Sequence, residues 1–180
     1  MKTLTFTLDI PSTSIKDRIL NEISNFEKQK QIHKSNFDTM YNKLSDLAKD
    51  ICNGLNQAIG EEVWTFPTNG EYKSKSGDLG KFTNKNLLTI GLYFNPIYRN
   101  TTTKTFFVYL GVEYKEVFRE GKNICDYYAL TDNQEIEVYF ADDSKSSGYN
   151  KNRVFTKITY LNDIHELAKV GYRQYFDNAI

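Results

Sequence analysis

The sequence predicts an α+β fold: an antiparallel sheet of five to seven strands with an N-terminal helical hairpin or long helix and a C-terminal helix. Three observations lead there. Residues 15–58 repeat apolar side chains at three- and four-residue intervals, the period of an amphipathic helix. After Gly60 the pattern changes to alternation in consecutive stretches without helical crossovers, which implies antiparallel pairing. From about Asn162 to Asn178 the helical period returns. The chain of 180 residues fits a single domain, 1–180, with 14–60 as a helical arm and 61–180 mainly β.

Taken in order, residues 2–10 place Leu4, Phe6, Leu8 and Ile10 on one face and Thr3, Thr5, Thr7 and Asp9 on the other, as a half-buried strand does. Pro11 ends it, and Ser14 with Asp17 resembles a capping box opening a helix. Ile15, Ile19, Ile23 and Phe26 form one stripe; Phe37, Met40 or Tyr41, Leu44, Leu47 or Ala48, Ile51, Leu55 and Ala58 form a second. Phe26 and Phe37 are eleven residues apart, close to three whole turns, so one unbroken helix would keep its phase. Such a helix would be roughly 70 Å long, against a radius of gyration near 16 Å for a compact chain of this size. An αα-hairpin turning near Lys34–Asn36, with Ser35 and Asp38 as a second cap, avoids that protrusion and is the preferred reading, although no Gly or Pro marks the turn.

The β region opens with Val63–Phe66, ended by Pro67. Residues 68–86 carry three glycines and read as a long loop. Leu87–Phe94, Phe106–Phe118, Cys125–Leu130, Glu135–Phe140 and Val154–Leu161 follow as strands, with residues 131–134 as a hairpin turn. The last helix carries Ile164, Leu167, Ala168, Gly171, Tyr172 and Tyr175 on its inner side.

Composition excludes more than it selects. Lys+Arg 23 balance Asp+Glu 23, which is neither a polybasic nucleic-acid tail nor an acidic mimic. The chain is 39% hydrophobic, enough to build a core. Cys52 and Cys125 are too few for a disulfide scaffold, and with only His33 and His165 no zinc spacing forms. No signal-peptide core or membrane-length apolar run occurs, so a cytoplasmic protein is expected. The 18 lysines against 5 arginines, with 17 asparagines and 13 tyrosines, accompany AT-rich coding and suggest a low-GC bacterium or its phage.

Three places could carry chemistry. In the first, Glu113 and Lys115 share one face of a long strand, with Asp78 upstream. This resembles the PD-(D/E)xK nuclease families, and the resemblance implies two carboxylates holding Mg²⁺ while the lysine orients water. The sequence departs from that pattern: Asp78 falls in a glycine-rich stretch, no proline precedes it, and no helix clearly follows the Glu113 strand. Exposed strands also alternate Glu and Lys without any catalytic role. The second place is the stretch from Lys145 to Lys157, where Lys145, Lys151, Arg153 and Lys157 occur without an intervening acid and Tyr149 offers a ring. These are the groups that phosphates and unpaired bases need, yet a lysine-rich solubilising hairpin loop has the same composition, and Asp142 and Asp143 are adjacent. The third is Lys28, Lys30, His33 and Lys34, at the apex of a helical finger or in a solvated turn. His165 and Glu166 lie on different helical faces, and neither a nucleophile elbow nor a phosphate loop is present.

Aromatic residues on both faces of the Phe106–Phe118 strand need cover on both sides, from the long loop, a second copy of the chain or a partner. The favoured reading is a non-catalytic macromolecule-binding protein, without metal or cofactor. Its target would be a protein, alone or in a nucleoprotein complex. A phage- or mobile-element-encoded inhibitor of anti-CRISPR or anti-defence type, acting by occlusion or conformational locking, is one specific form. The alternatives are the Mg²⁺ nuclease using Asp78, Glu113 and Lys115, and a module that reads only nucleic-acid backbone.

Overall fold

The structure, a computed structural model, describes residues 14–66, 72–74, 78–94, 106–121, 123–142 and 154–159. The strand expected at 2–10 and the helix expected at 162–178 lie outside these residues. The arrangement is α+β, a long N-terminal helix followed by an antiparallel sheet.

Helix α1 runs Ile15–Ile59 without interruption, so the expected hairpin does not form. The physical reason lies in the segment meant to turn. It contains no Gly or Pro, and the Ser35 carbonyl accepts a bond from Thr39 Oγ1 one turn later instead of Ser35 acting as a cap. The eleven-residue interval keeps Phe26 and Phe37 in phase, so nothing is gained by breaking the ladder. Ser14 caps the start by accepting from the Asp17 amide at 3.1 Å. Gly60, at φ 84°, ends the helix in the left-handed conformation that glycine adopts without a steric penalty.

Seven described strands follow: β1 Trp64–Thr65, β2 Tyr72–Ser74, β3 Leu87–Phe94, β4 Phe106–Phe118, β5 Cys125–Leu130, β6 Glu137–Asp142 and β7 Val154–Ile158. Between β2 and β3 lies a short helix, α2, Asp78–Thr83. The long loop expected over 68–86 therefore holds a strand and a helix. The glycines that suggested a loop are compatible with a three-residue strand and one and a half turns.

The sheet has five parallel tracks rather than seven. β1 and β2 both pair with β3, at its two ends and in the same direction. β5 and β6 likewise run successively along one edge of β4, with Tyr114↔Leu130 and Gly111↔Glu137 flanking the break. Residues 131–136 are thus an excursion from a continuing track, and the hairpin turn expected at 131–134 does not reverse the chain. Thr131 anchors the excursion: its amide donates to the Glu113 carbonyl at 3.2 Å, and its hydroxyl bonds the Asn133 carbonyl at 2.9 Å.

One face of the sheet packs under α1. Phe37, Met40, Leu44, Ala48, Cys52 and Leu55 bury against Leu88, Ile90, Leu92, Val108, Leu110 and Val112. The opposite face holds a smaller cluster of Leu79, Leu87, Tyr139, Ala141 and Phe155, with Phe107 and Tyr109 packed on it. Helix α2 covers part of this face through Leu79, and the Phe82 ring lies tilted against Phe155 with centroids 5.3 Å apart. This supplies some of the second cover that the aromatic pattern required. Gly91 lies opposite Tyr109, and a Cβ there would fall 2.8 Å from the tyrosine ring, so the ring takes the space a side chain would need.

A single side chain fixes where α1 meets the sheet. Asn56 accepts from the amides of Val63 and Trp64 at 3.1 and 2.8 Å, and its Nδ2 donates to the Trp64 carbonyl at 3.0 Å. Cys52 Sγ donates to the same carbonyl at 3.3 Å, and burial pushes its thiol pKa up. Asn56→Ala removes these three bonds and takes from the Trp64 amide its acceptor, while the Trp64 carbonyl keeps Cys52 and the Val63 amide keeps the Glu61 carbonyl. We expect a loss of about 2 kcal/mol and a fall in Tm of roughly 4–8 °C, measured by thermal unfolding. A Tm within about 1 °C of the parent would show that the clamp does not hold this corner.

Candidate functional site

The 45 residues of α1 outrun the sheet. Buried positions on the helix begin at Phe37, and every residue from Ser14 to Asn25 is exposed. Among the described residues, the last support lies where the β4–β5 hairpin reaches the helix. Arg119 places its guanidinium 4.3 Å from the Phe26 ring centroid, within the range of a cation–π contact. Tyr127 meets Phe26 edge-on at 5.6 Å and stacks on His33 at 5.1 Å. Asp126 holds Arg119 in turn, accepting from its amide at 2.8 Å. Beyond Phe26 about eleven residues project, roughly 16 Å of helix.

This projection keeps the apolar phase of the buried half. Ile15, Ile19 and Ile23 are 75%, 51% and 50% exposed, and Leu20 is 53% exposed. In the sequence they read as a core stripe. Their periodicity was legible, but the fact that the sheet ends before reaching them was not.

The basic residues Lys28, Lys30 and Lys34 are exposed on the middle of this continuous helix, not at an apex. His33 is half-buried on Tyr127 and serves to anchor the arm. Of the second basic group, Lys157 donates to Glu137 Oε1 at 2.7 Å. Lys145, Tyr149, Lys151 and Arg153 lie outside the described residues.

The residues of the nuclease pattern sit on the other face. Glu113 and Lys115 share a face of β4, and Asp78 opens α2. Lys85 Nζ lies between two carboxylates, 3.6 Å from Glu113 Oε2 and 3.2 Å from Glu137 Oε1. Tyr139 also donates to Glu137 Oε2 at 2.8 Å. An ammonium group therefore occupies the space between the two carboxylates. Among the described residues, no group of three or more His, Cys, Asp or Glu side chains is placed to hold a metal ion. No described helix is long and apolar enough to cross a membrane. Lys85 and Glu137 are 52 residues apart, and no local spacing in the sequence marks them as partners.

Burial alone would raise the Glu137 pKa, but hydrogen bonds from Lys157, Tyr139 and Lys85 outweigh it and hold the carboxyl at about 2. Lys85 is raised, chiefly by its bond to Glu137, and Tyr139 is pushed up by burial and by the same carboxylate. Burial also takes Tyr114, under α1, to about 12. Comparison of the chain with protein-family models, curated proteins and solved structures finds no match in any of the three.

The network predicts a pH dependence with a definite sign. The folded pKa of Glu137 lies below the unfolded carboxylate value of about 4.3, so its contribution is complete above about pH 5. It is lost as pH falls toward 2. Glu137→Gln should flatten the acid limb of a stability–pH curve in that window. At neutral pH it should cost about 1–2 kcal/mol, a figure kept small because Lys85 and Lys157 are partly solvated. Urea unfolding between pH 2.5 and 7 reads both effects, and an unchanged acid limb would remove Glu137 as its source.

Proposed function

We propose that this chain is a non-catalytic macromolecule-binding protein that presents the exposed basic stretch of α1, N-terminal to its packed half, to a protein target. The observation that carries this reading is a helix propped by Arg119 and Tyr127 and continued past its own sheet with apolar and basic side chains exposed. Core formation alone gives no reason for a projection of this kind, whereas an amphipathic helix laid into a groove is a recurrent recognition mode. Such a protein acts by occluding a surface or locking a conformation. The AT-biased composition favours a phage or mobile element as source and an inhibitor of host defence, anti-CRISPR proteins included, as the class. Exposed Lys28, Lys30 and Lys34 are the basic residues assigned to the contact.

The nuclease alternative is disfavoured by one contact. Glu113 would have to exchange the Lys85 ammonium for a metal ion. A backbone-reading module would rest on Lys151 and Arg153 and would bind with a steep salt dependence.

The test is capture from nuclease-treated lysate of a low-GC bacterium at moderate salt, with the parent beside the triple variant Lys28→Glu, Lys30→Glu, Lys34→Glu. One stoichiometric protein retained by the parent and reduced at least about tenfold in the variant, about 1.4 kcal/mol, is the expected result. Equal retention by a variant of unchanged Tm would remove the basic stretch of α1 from the interface. Mg²⁺-dependent cleavage of labelled DNA or RNA that disappears on Glu113→Gln would replace the binding reading with the nuclease one.

A further inference from the structure

Among the described residues, the stripe side of the projecting arm of α1 and the end of the β4–β5 hairpin bound a notch. Its roof is the stripe Ile15, Ile19 and Ile23, in the same helical phase as the residues that face the sheet further along. Its back wall is the hairpin end that touches Phe26 through Arg119, where Phe118 and Ile124 are 47% and 79% exposed. The notch is about 16 Å deep, measured along the helix, and a helix with its side chains is about 10 Å across.

We propose that the occupant of this notch is the arm of a second copy of the chain, the two arms lying antiparallel about a twofold axis near Asn21. The charges argue for this arrangement. Antiparallel helices related by such an axis bring like flanks together, at positions whose numbers sum to a constant. With that sum near 42, Ile19 meets Ile23 of the second copy, and Leu20 packs beside it. On one flank Lys16 lies about one position from level with Glu27 of the second copy, and on the other Arg18 lies about two positions from level with Glu22, both within reach of long side chains. Each ion pair occurs twice by symmetry. A parallel pairing instead sets Glu22 against Glu27, a like-charge contact.

The shape of the chain gives the same choice. Each helix carries its own sheet on the stripe side beyond Phe26, so a parallel partner would run into that sheet. An antiparallel partner runs clear of it, and its first turn ends against Phe118 and Ile124. Lys28, Lys30 and Lys34 fall outside the overlap. The dimer covers the isoleucine stripe of the projecting arm and leaves those lysines to the proposed target, and its oligomeric state is read without any target.

Two short arms make an interface at or below the roughly 1,200 Å² of a stable complex. A reversible dimer is expected, dominant at about 200 μM and dissociating on dilution toward about 1 μM, a Kd in the micromolar range. Sedimentation equilibrium of the full chain tests it, with a limiting mass of twice the 20.9 kDa of one chain. Ile19→Asp together with Ile23→Asp should give a monomer at every concentration. Both positions are half exposed in the single chain, so the circular dichroism spectrum and Tm should stay those of the parent. Glu27→Lys should weaken association at least about fivefold, and adding Lys16→Glu should restore it, the signature of a direct pair. A parent that is monomeric at about 200 μM overturns the proposal. So does a dimer that survives both aspartates, or a charge reversal that the second change does not rescue.

Discussion

A helix of 45 residues laid on a sheet whose longest strand has 13 cannot be matched to it end for end. The helix measures about 68 Å and the strand at most about 44 Å. Because the apolar phase survives the polar stretch between Phe26 and Phe37, the helix neither breaks nor rotates its apolar side away. The mismatch has to appear as an overhang. Asn56 fixes which end is flush with the sheet, by tying the C-terminal turns to β1, and this sends the whole surplus to the N-terminal end. The notch, the exposed isoleucines and the propped middle of α1 all follow from that one constraint.

The prop is built from groups that combine packing with charge. Arg119 covers an aromatic face that would otherwise meet water and is itself held by Asp126. Tyr127 touches both Phe26 and His33, two positions spaced seven residues apart on one helical face. Together they extend the supported part of the helix past the Phe37–Tyr114–Tyr128 cluster without extending the sheet core. What remains unsupported is short enough to stay helical, because its N-terminus is capped at Ser14 and its C-terminal side continues into a packed helix.

The opposite face follows a different logic. The track formed by β5 and β6 steps out at residues 131–136 and returns, bringing Glu137 opposite Gly111. Lys85 reaches across from the β3 side to Glu137 and Glu113. A carboxylate with two ammonium partners and a phenol is a satisfied internal group, and burial without those partners would have held it neutral. The same lysine that stabilises Glu137 occupies the position in which a metal would make Glu113 catalytic.

The sequence by itself determined the class of the long elements among the described residues. Leu87–Phe94, Phe106–Phe118 and Cys125–Leu130 were legible to the residue, because runs rich in aromatic and β-branched side chains are bounded there by polar, turn-forming segments. The helical phase across Phe26–Phe37 was legible too, and so was the absence of any Gly or Pro to turn the chain; compactness favours a hairpin there, but the unbroken helical ladder outweighs it. Tertiary structure decided the rest. Whether Ile15, Ile19 and Ile23 are core or surface depends on where the sheet stops, which no local pattern encodes. Whether residues 131–134 reverse the chain depends on which edge of β4 remains open to β6. Whether Glu113 can meet a metal depends on a lysine whose distance from it in space has no counterpart in their spacing along the chain. In each case the deciding quantity is a contact between distant segments, fixed only when the sheet and the helix are packed together.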